Sequence, residues 1–347
     1  MRQSRQSIER ELRRRILDGR YPPGSRLPLR RELLRELGAS PLTLQRAMDR
    51  LGELGFIESR GTQGTFVAAK LPNRATIGLI FPGEPDRNGS WNRFWSSVLR
   101  VAEAWDEGGV TFRPYFLSDQ HVDVPDHRRI CADLADGGLM GVVSVSSPHY
   151  LEGSPIYDQD LPRVIIGSGK EDQVARWRSS WMDLADGGIH LTAMRRLRAA
   201  GRQRIAFLSH PSFASCPWLA QLKDIGLATR PEWWIGVPPA AAATAQPVAR
   251  LLCSGPEHLR PDALLITDDN LVPYGTAGVL DAGLHPPRDI SVAAHANFPA
   301  PTHAAFPCLR FGVDVEVLLH ACLEELRRIE AGGKPRVRTV QRVLREA

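Results

Sequence analysis

Ser40, Thr43, Gln45 and Arg46 lie close together in a segment whose apolar residues recur with a helical period. Hydroxyl, amide and guanidinium groups near the start of a helix can hydrogen-bond to base edges in the major groove of duplex DNA. Arg30 and Arg31 stand just upstream, where another helical pattern begins, and a helix N-terminus is itself a phosphate site. Arg60, Thr62 and Gln63 follow downstream, around Gly61 and Gly64 in a hairpin that can reach a neighbouring groove. The competing reading is that each arginine belongs to an ordinary solvated helical face.

A second set of residues suits a different ligand. Asp183 and Asp269 each end an apolar run, Asn297 follows another, and Trp91, Phe94 and Trp95 follow the first such run of the body. Carboxylates and amides bind sugar hydroxyls, and aromatic faces cover the apolar sides of the ring. The alternatives are plain: Asp183 and Asp269 as caps of the helices that follow them, and Trp95 as core packing.

The elements that must position these groups can be read from periodicity. Ile8, Leu12 and Ile16 are spaced by four and predict a helix capped by Ser7 and ended by Gly19, Pro22 and Pro23. A second helix fits Leu29–Leu37 and stops at Gly38. A third opens with Ser40 as N-cap and Pro41 at the first helical position. It runs to about Leu54, turns Leu44, Ala47, Met48 and Leu51 inward, and is ended by Gly55. FIESR and GTFVA then read as two strands joined by Gly61, Thr62, Gln63 and Gly64. Two helices joined by a glycine turn and followed by a hairpin are the sequence form of a winged helix-turn-helix.

After a polar connector at residues 69–75 the pattern changes. Apolar runs at 76–81, 110–117, 141–146, 163–167, 204–209, 262–267 and 290–294 alternate with helical stretches at 93–107, 126–136, 186–199 and 270–282. Short buried strands alternating with helices predict an α/β body with parallel sheets, in one sheet or two. PPAAAATAQPVARLL reads as a loop leading into a helix. The predicted domains are 1–68, a linker at 69–75 and a body at 76–347.

Charge separates the same two parts. Residues 1–75 carry 16 Lys and Arg against 8 Asp and Glu, while the whole chain has a net charge of only +5, so the body is mildly acidic. A basic head suggests a polyanion partner for the head alone. No apolar run is long enough for a transmembrane helix, and no membrane partner is expected. Five scattered cysteines without a CxxC pair predict reduced thiols, a cytoplasmic setting and no metal site. GxSxG, GxxxxGK[ST], HExxH and a GxGxxG after the first body strand are all missing, so neither catalysis nor a cofactor is expected. His295 and His303 flank Asn297 in the densest histidine group, read as loop or pocket histidines.

The head resembles the GntR family of bacterial transcription regulators, through RILDGRYPPGSRLP, RRELLRELGAS, TLQRAMDRLGELGFIESR and GTQGTFVA. The resemblance implies a phosphate contact at Arg31 and a DNA contact at Thr43. Pro41 and Gln45 stand where the family often has arginine, and Thr62 where its wing usually has glycine. The body resembles the LacI/GalR effector domain, a two-lobed fold of the periplasmic-binding-protein type. The matching stretches are residues 183–209, 261–294 and 311–326, the last resembling the segment that crosses back between lobes.

This second resemblance implies a ligand cleft at the carboxyl ends of the strands, lined by Trp91, Phe94, Trp95, Asp183, Asp269, Asn297 and Trp218. Departures matter here: Asp268 replaces a common Asn, Ala296 a common Asp, and Trp218 falls near a ligand-clamping Arg. They imply an effector other than a common hexose, or a different pose. The combined expectation is a homodimeric repressor that binds a double-stranded DNA operator and senses a small molecule, most plausibly a carbohydrate. An α/β enzyme with a DNA-binding head and a body that only dimerises are the rivals.

Overall fold

The computed structural model describes residues 5–17, 19–69, 75–85, 91–106, 109–117, 125–157, 160–184, 187–211 and 220–346. The chain forms two compact units that divide at Ala75/Thr76.

The first unit begins with α1 (Arg5–Leu17), α2 (Arg30–Leu37) and α3 (Pro41–Glu53). Because α1 starts at Arg5, Ser7 lies inside its first turn and is not the cap that the sequence suggested. Gly38 closes α2 in the left-handed conformation at φ 58°, where a side chain would be strained. Ser40 caps α3 by accepting a hydrogen bond from Thr43 N at 3.2 Å, and Pro41 occupies the first turn. The apolar stripes meet in one core of Ile8, Leu12, Ile16, Leu33, Leu37, Leu44, Ala47, Met48 and Leu51. Strands β1 (Ile57–Ser59) and β2 (Thr65–Val67) pair antiparallel and add Phe56, Ile57 and Val67 to it. Between them Gly61–Gln63 form a single 3-10 turn, closed by Arg60 N donating to Gly64 O at 2.8 Å.

The second unit holds two six-stranded sheets. The first lobe comprises β3 (Ala75–Phe81), α4 (Arg93–Glu103), β4 (Val110–Phe116), α5 (Pro125–Ala135), β5 (Gly141–Ser144), β6 (Arg163–Ile166), α6 (Glu171–Trp177) and β7 (Ser180–Asp183). The chain then enters the second lobe with α7 (Gly187–Ala199), β8 (Ile205–Ser209), α8 (Leu222–Ile225) and β9 (Trp234–Gly236). It continues with α9 (Ala245–Cys253), β10 (Ala263–Ile266), α10 (Val272–Asp281), β11 (Ser291–Phe298) and β12 (Leu309–Asp314). It returns through α11 (Val315–Glu330) to β13 (Val337–Thr339) in the first sheet, and ends at β14 (Val343–Arg345) in the second. The strand orders are β4-β3-β5-β6-β7-β13 and β9-β8-β10-β11-β12-β14. β14 runs antiparallel to β12, while β10 is parallel to both β8 and β11.

Alternation along the strands covers both faces of the second sheet. Phe207, Leu265 and Ala293 pack with Ile189 and Met194 of α7, whereas Leu208, Leu264 and Ile266 pack with Ala249 of α9 and Val279 of α10. β11 and β12 approach closely: Gly312, at φ 156°, lies so near its register partner Ala296 that an added Cβ would sit 2.0 Å from the Ala296 carbonyl oxygen.

In the first lobe the fully buried Glu325 of α11 gathers the returning chain. It accepts from Ser180 Oγ at 2.8 Å, Arg328 Nε at 3.1 Å and Arg336 Nη2 at 3.1 Å. Burial alone would raise its pKa, but these hydrogen bonds outweigh that effect and hold the carboxyl below its usual range.

Candidate functional site

In the first unit, Arg30, Arg31, Arg46, Arg60, Thr62 and Gln63 are exposed, while Ser40, Thr43 and Gln45 are half-buried. The half-buried ones are engaged internally. Ser40 Oγ and Thr43 Oγ1 lie 2.6 Å apart, and Gln45 Nε2 donates to Asp49 Oδ1 at 2.5 Å, one turn along α3. Arg60 sits over the Phe66 ring at 4.5 Å, with Glu58 Oε2 at 3.3 Å. The sequence reading missed Arg26. Its backbone bridges to Phe66 of β2, and its side chain lies against Gly64 of the wing. Its signal was faint, a lone arginine between two prolines. Arg15 is a structural arginine instead, bonded to Glu11 and Glu36 at 2.7 Å each.

In the second unit, an aromatic group forms at the ends of β3 and β4. Phe81 and Phe116 each end a strand, and Trp91 packs on them at 5.2 and 5.8 Å between ring centroids. Trp95 meets Trp91 edge-on at 5.5 Å, and the Trp91 indole N–H donates to Ser96 Oγ at 2.7 Å. Trp91, Phe94 and Trp95 are all half-buried, so Trp95 belongs to a surface-reaching cluster and not to the deep core. Asn92 caps α4 by accepting from Trp95 N at 2.9 Å.

Across from this group, after β10, lies an acidic turn. Arg93 N donates to Asn270 Oδ1 at 3.1 Å, joining the start of α4 in the first lobe to the second. Asp268 closes the turn by accepting from Asn270 N at 2.9 Å. Asp269 is therefore freed from capping: its Oδ2 accepts from Asn297 Nδ2 at 2.5 Å and from Thr302 Oγ1 at 3.4 Å. Asp269 and Asn297 are only 4% and 1% exposed. Burial, and then the neighbouring Asp268 charge, push the Asp269 carboxyl up to about 7, against the hydrogen bonds it accepts. Asp183 ends β7 at the point where the chain leaves the first lobe, half-buried. Trp218 lies outside the described residues. The structure thus brings Asp269 and Asn297 into one cluster and Trp91 and Trp95 into another. Asp183 is placed at a crossing.

A cavity of about 590 Å³ opens elsewhere, lined by Arg196, Ser291, Cys308, Leu309 and Glu346. Ser291 and Leu309 begin β11 and β12, so this cavity is at the opposite end of the strands from Asp269 and Asn297. Among the described residues no cluster of His, Cys, Asp and Glu could hold a metal ion, and no helix is long and apolar enough to cross a membrane.

Comparison with known proteins divides along the same line as the structure. Residues 4–67 match the family described as bacterial regulatory proteins, gntR family. The HTH-type transcriptional regulator Rv1152 of Mycobacterium tuberculosis is 37% identical over 71 residues, which cover 19% of this chain and 59% of the relative. The uncharacterized HTH-type transcriptional regulator YhcF of Bacillus subtilis is 42% identical over 48 residues, 14% of this chain and 40% of the relative. The chain therefore spans less than two thirds of these curated relatives.

Among solved structures, the transcriptional regulator CelR in complex with cellobiose superposes with a TM-score of 0.56 at 18% identity, over 90% of this chain and 93% of the other. A LacI family transcriptional regulator from Lactobacillus casei with bound glucose gives 0.54 at 18%, over 79% and 98%. Residues 4–67 are a helix-turn-helix domain of the GntR type, followed by a body with the two-lobed, periplasmic-binding-protein-like fold of LacI-type regulators.

Proposed function

We propose that this chain is a ligand-responsive transcription regulator. The first unit binds a double-stranded DNA operator, the second takes a small molecule between its lobes, and two copies act together as a dimer. The observation that carries the reading is the exposed basic and polar face of α2, α3 and the wing, on a unit whose core is built from the other side of those helices. Arg30, Arg31 and the wing residues Arg60, Thr62 and Gln63 hold phosphates, with Ser40, Thr43, Gln45 and Arg46 facing the bases.

Affinity for duplex DNA should then fall steeply with salt, since each phosphate contact adds about 0.9 to the log–log slope. Arg31→Ala should weaken binding to every sequence and reduce that slope by about 1. An unchanged slope would remove Arg31 from the interface.

For the body, a carbohydrate fits the chemistry best: an indole pair on one side, and a carboxyl–amide pair on the other. The neighbouring structures hold cellobiose and glucose. Ala296 has no side-chain hydroxyl or carboxylate to offer a sugar, and Asp268 is spent on its own turn, which favours a ligand other than a common hexose. Regulation requires that the ligand bind two arrangements of the dimer unequally, with release of the operator as the output of a repressor. The test is a thermal-shift screen of the whole chain against a carbohydrate library. A ligand at a hundred times its Kd should stabilise the fold by about 2.7 kcal/mol. A body that serves dimerisation alone would give no shift with any sugar. It gains some support from Asp269 and Trp91, whose hydrogen bonds are already made within the chain.

A further inference from the structure

The exposed face of α3 carries a residue that none of this chemistry uses. Leu42, the second residue of the helix, is 61% exposed. It takes no part in the core, which α3 supplies with Leu44, Ala47, Met48 and Leu51 from its other side. One turn along lies Arg46, also exposed. The polar side chains around Leu42 are less available than their types suggest. Thr43 Oγ1 is 2.6 Å from Ser40 Oγ, and Gln45 Nε2 is held by Asp49. The first turn of α3 therefore presents an aliphatic surface beside its hydrogen-bonding groups.

We infer that Leu42 is a specificity-determining residue that reads the C5-methyl group of a thymine in the major groove of each half-site. This rests on the DNA-binding reading of the first unit. The chemistry is restrictive. An isobutyl group can neither donate nor accept a hydrogen bond, and in the major groove the thymine methyl is the one apolar feature that distinguishes a base pair. Contact between the two removes apolar surface of both from water. Arg46, one turn along, is then free to take a phosphate or an adjacent guanine edge.

The test uses the full-length chain and a duplex library with a randomised core. Sequences selected by the wild type are remade with each thymine replaced, one at a time, by deoxyuridine, which removes the methyl and nothing else. At one thymine per half-site the replacement should weaken binding about fourfold, the worth of one buried methyl. Leu42→Ala should abolish that sensitivity while retaining the salt slope, and Leu42→Met, still aliphatic, should keep it. Because Leu42 is outside the core, both variants should melt with the wild type. If no single deoxyuridine matters, or if its effect persists unchanged in Leu42→Ala, the assignment is wrong. If the wild type selects no sequence at all, the DNA-binding reading falls and takes this one with it. If Arg31→Ala binds weakly while the deoxyuridine scan is flat, only the role of Leu42 is lost.

Discussion

At the scale of single residues, Asp269 is the most informative. Its carboxyl has a pKa of about 7 in the folded chain, against roughly 4 when unfolded. Between those values the folded state keeps a proton that the unfolded state has released, so this group's contribution to stability falls as pH rises from about 4 to about 7 and then levels. Asp269→Asn removes the contribution. Urea titrations of variant and wild type should diverge in the variant's favour by about 3 kcal/mol, to order of magnitude, between pH 4.5 and 7.5. A pH-independent difference would show that Asp269 is already ionised at low pH. The residue also marks what the sequence could tell. Asp269 read equally as a helix cap or a ligand group, and Asp268 only as a departure from a common Asn; tertiary structure assigns the turn to Asp268 and the partnership with Asn297, 28 positions away, to Asp269. Likewise Thr43 and Gln45 read as free polar groups, because an internal hydrogen bond to Ser40 or Asp49 leaves no trace in residue type.

At the scale of elements, long periodic segments are legible in the sequence and short ones are not. Helices α2 and α3 lie within a residue of their expected bounds, because Gly38, Ser40 and Pro41 carry local signals that packing does not override. Strands β9, β13 and β14 have no counterpart in the predicted pattern. β13 and β14 are three residues each, read VRT and VLR, and sit at sheet edges, where burial imposes no apolar run. β12 is hidden inside a stretch expected to cross between lobes, and that stretch does so only after Asp314 has capped α11. Its Gly312 yields a sharp expectation. With Ala296 O only 2.0 Å from an ideal Cβ, Gly312→Ala must spread β11 and β12. It should cost at least about 2 kcal/mol in chemical unfolding. A loss under about 0.5 kcal/mol, the ordinary effect of a surface change, would mean that the ladder yields freely there.

At the scale of the whole molecule, two compact units share one chain, and the charge division between them is plain from the order of the residues alone. A surface for the proposed dimer is not, since exposed leucines are common on any protein. Leu251 on α9, 76% exposed, and Leu280 on the packed neighbour α10, 43% exposed, are apolar side chains that the proposed dimer would be expected to cover. Leu251→Asp should shift sedimentation toward the monomer and weaken operator binding at low concentration, since half a dimer makes half the contacts. Unchanged sedimentation would place the interface elsewhere. The path of the chain through the second unit has a consequence for synthesis. Each sheet is completed by one of the last strands, β13 or β14, after the chain has crossed between lobes at residues 183–187, 314–315 and 339–343. Neither lobe is a continuous stretch, so on the ribosome the first waits for residues 337–339 before its sheet is whole, long after the N-terminal unit has emerged. A message cut short in the body would therefore yield a first unit with all its elements joined to a second unit whose sheets lack their closing strands.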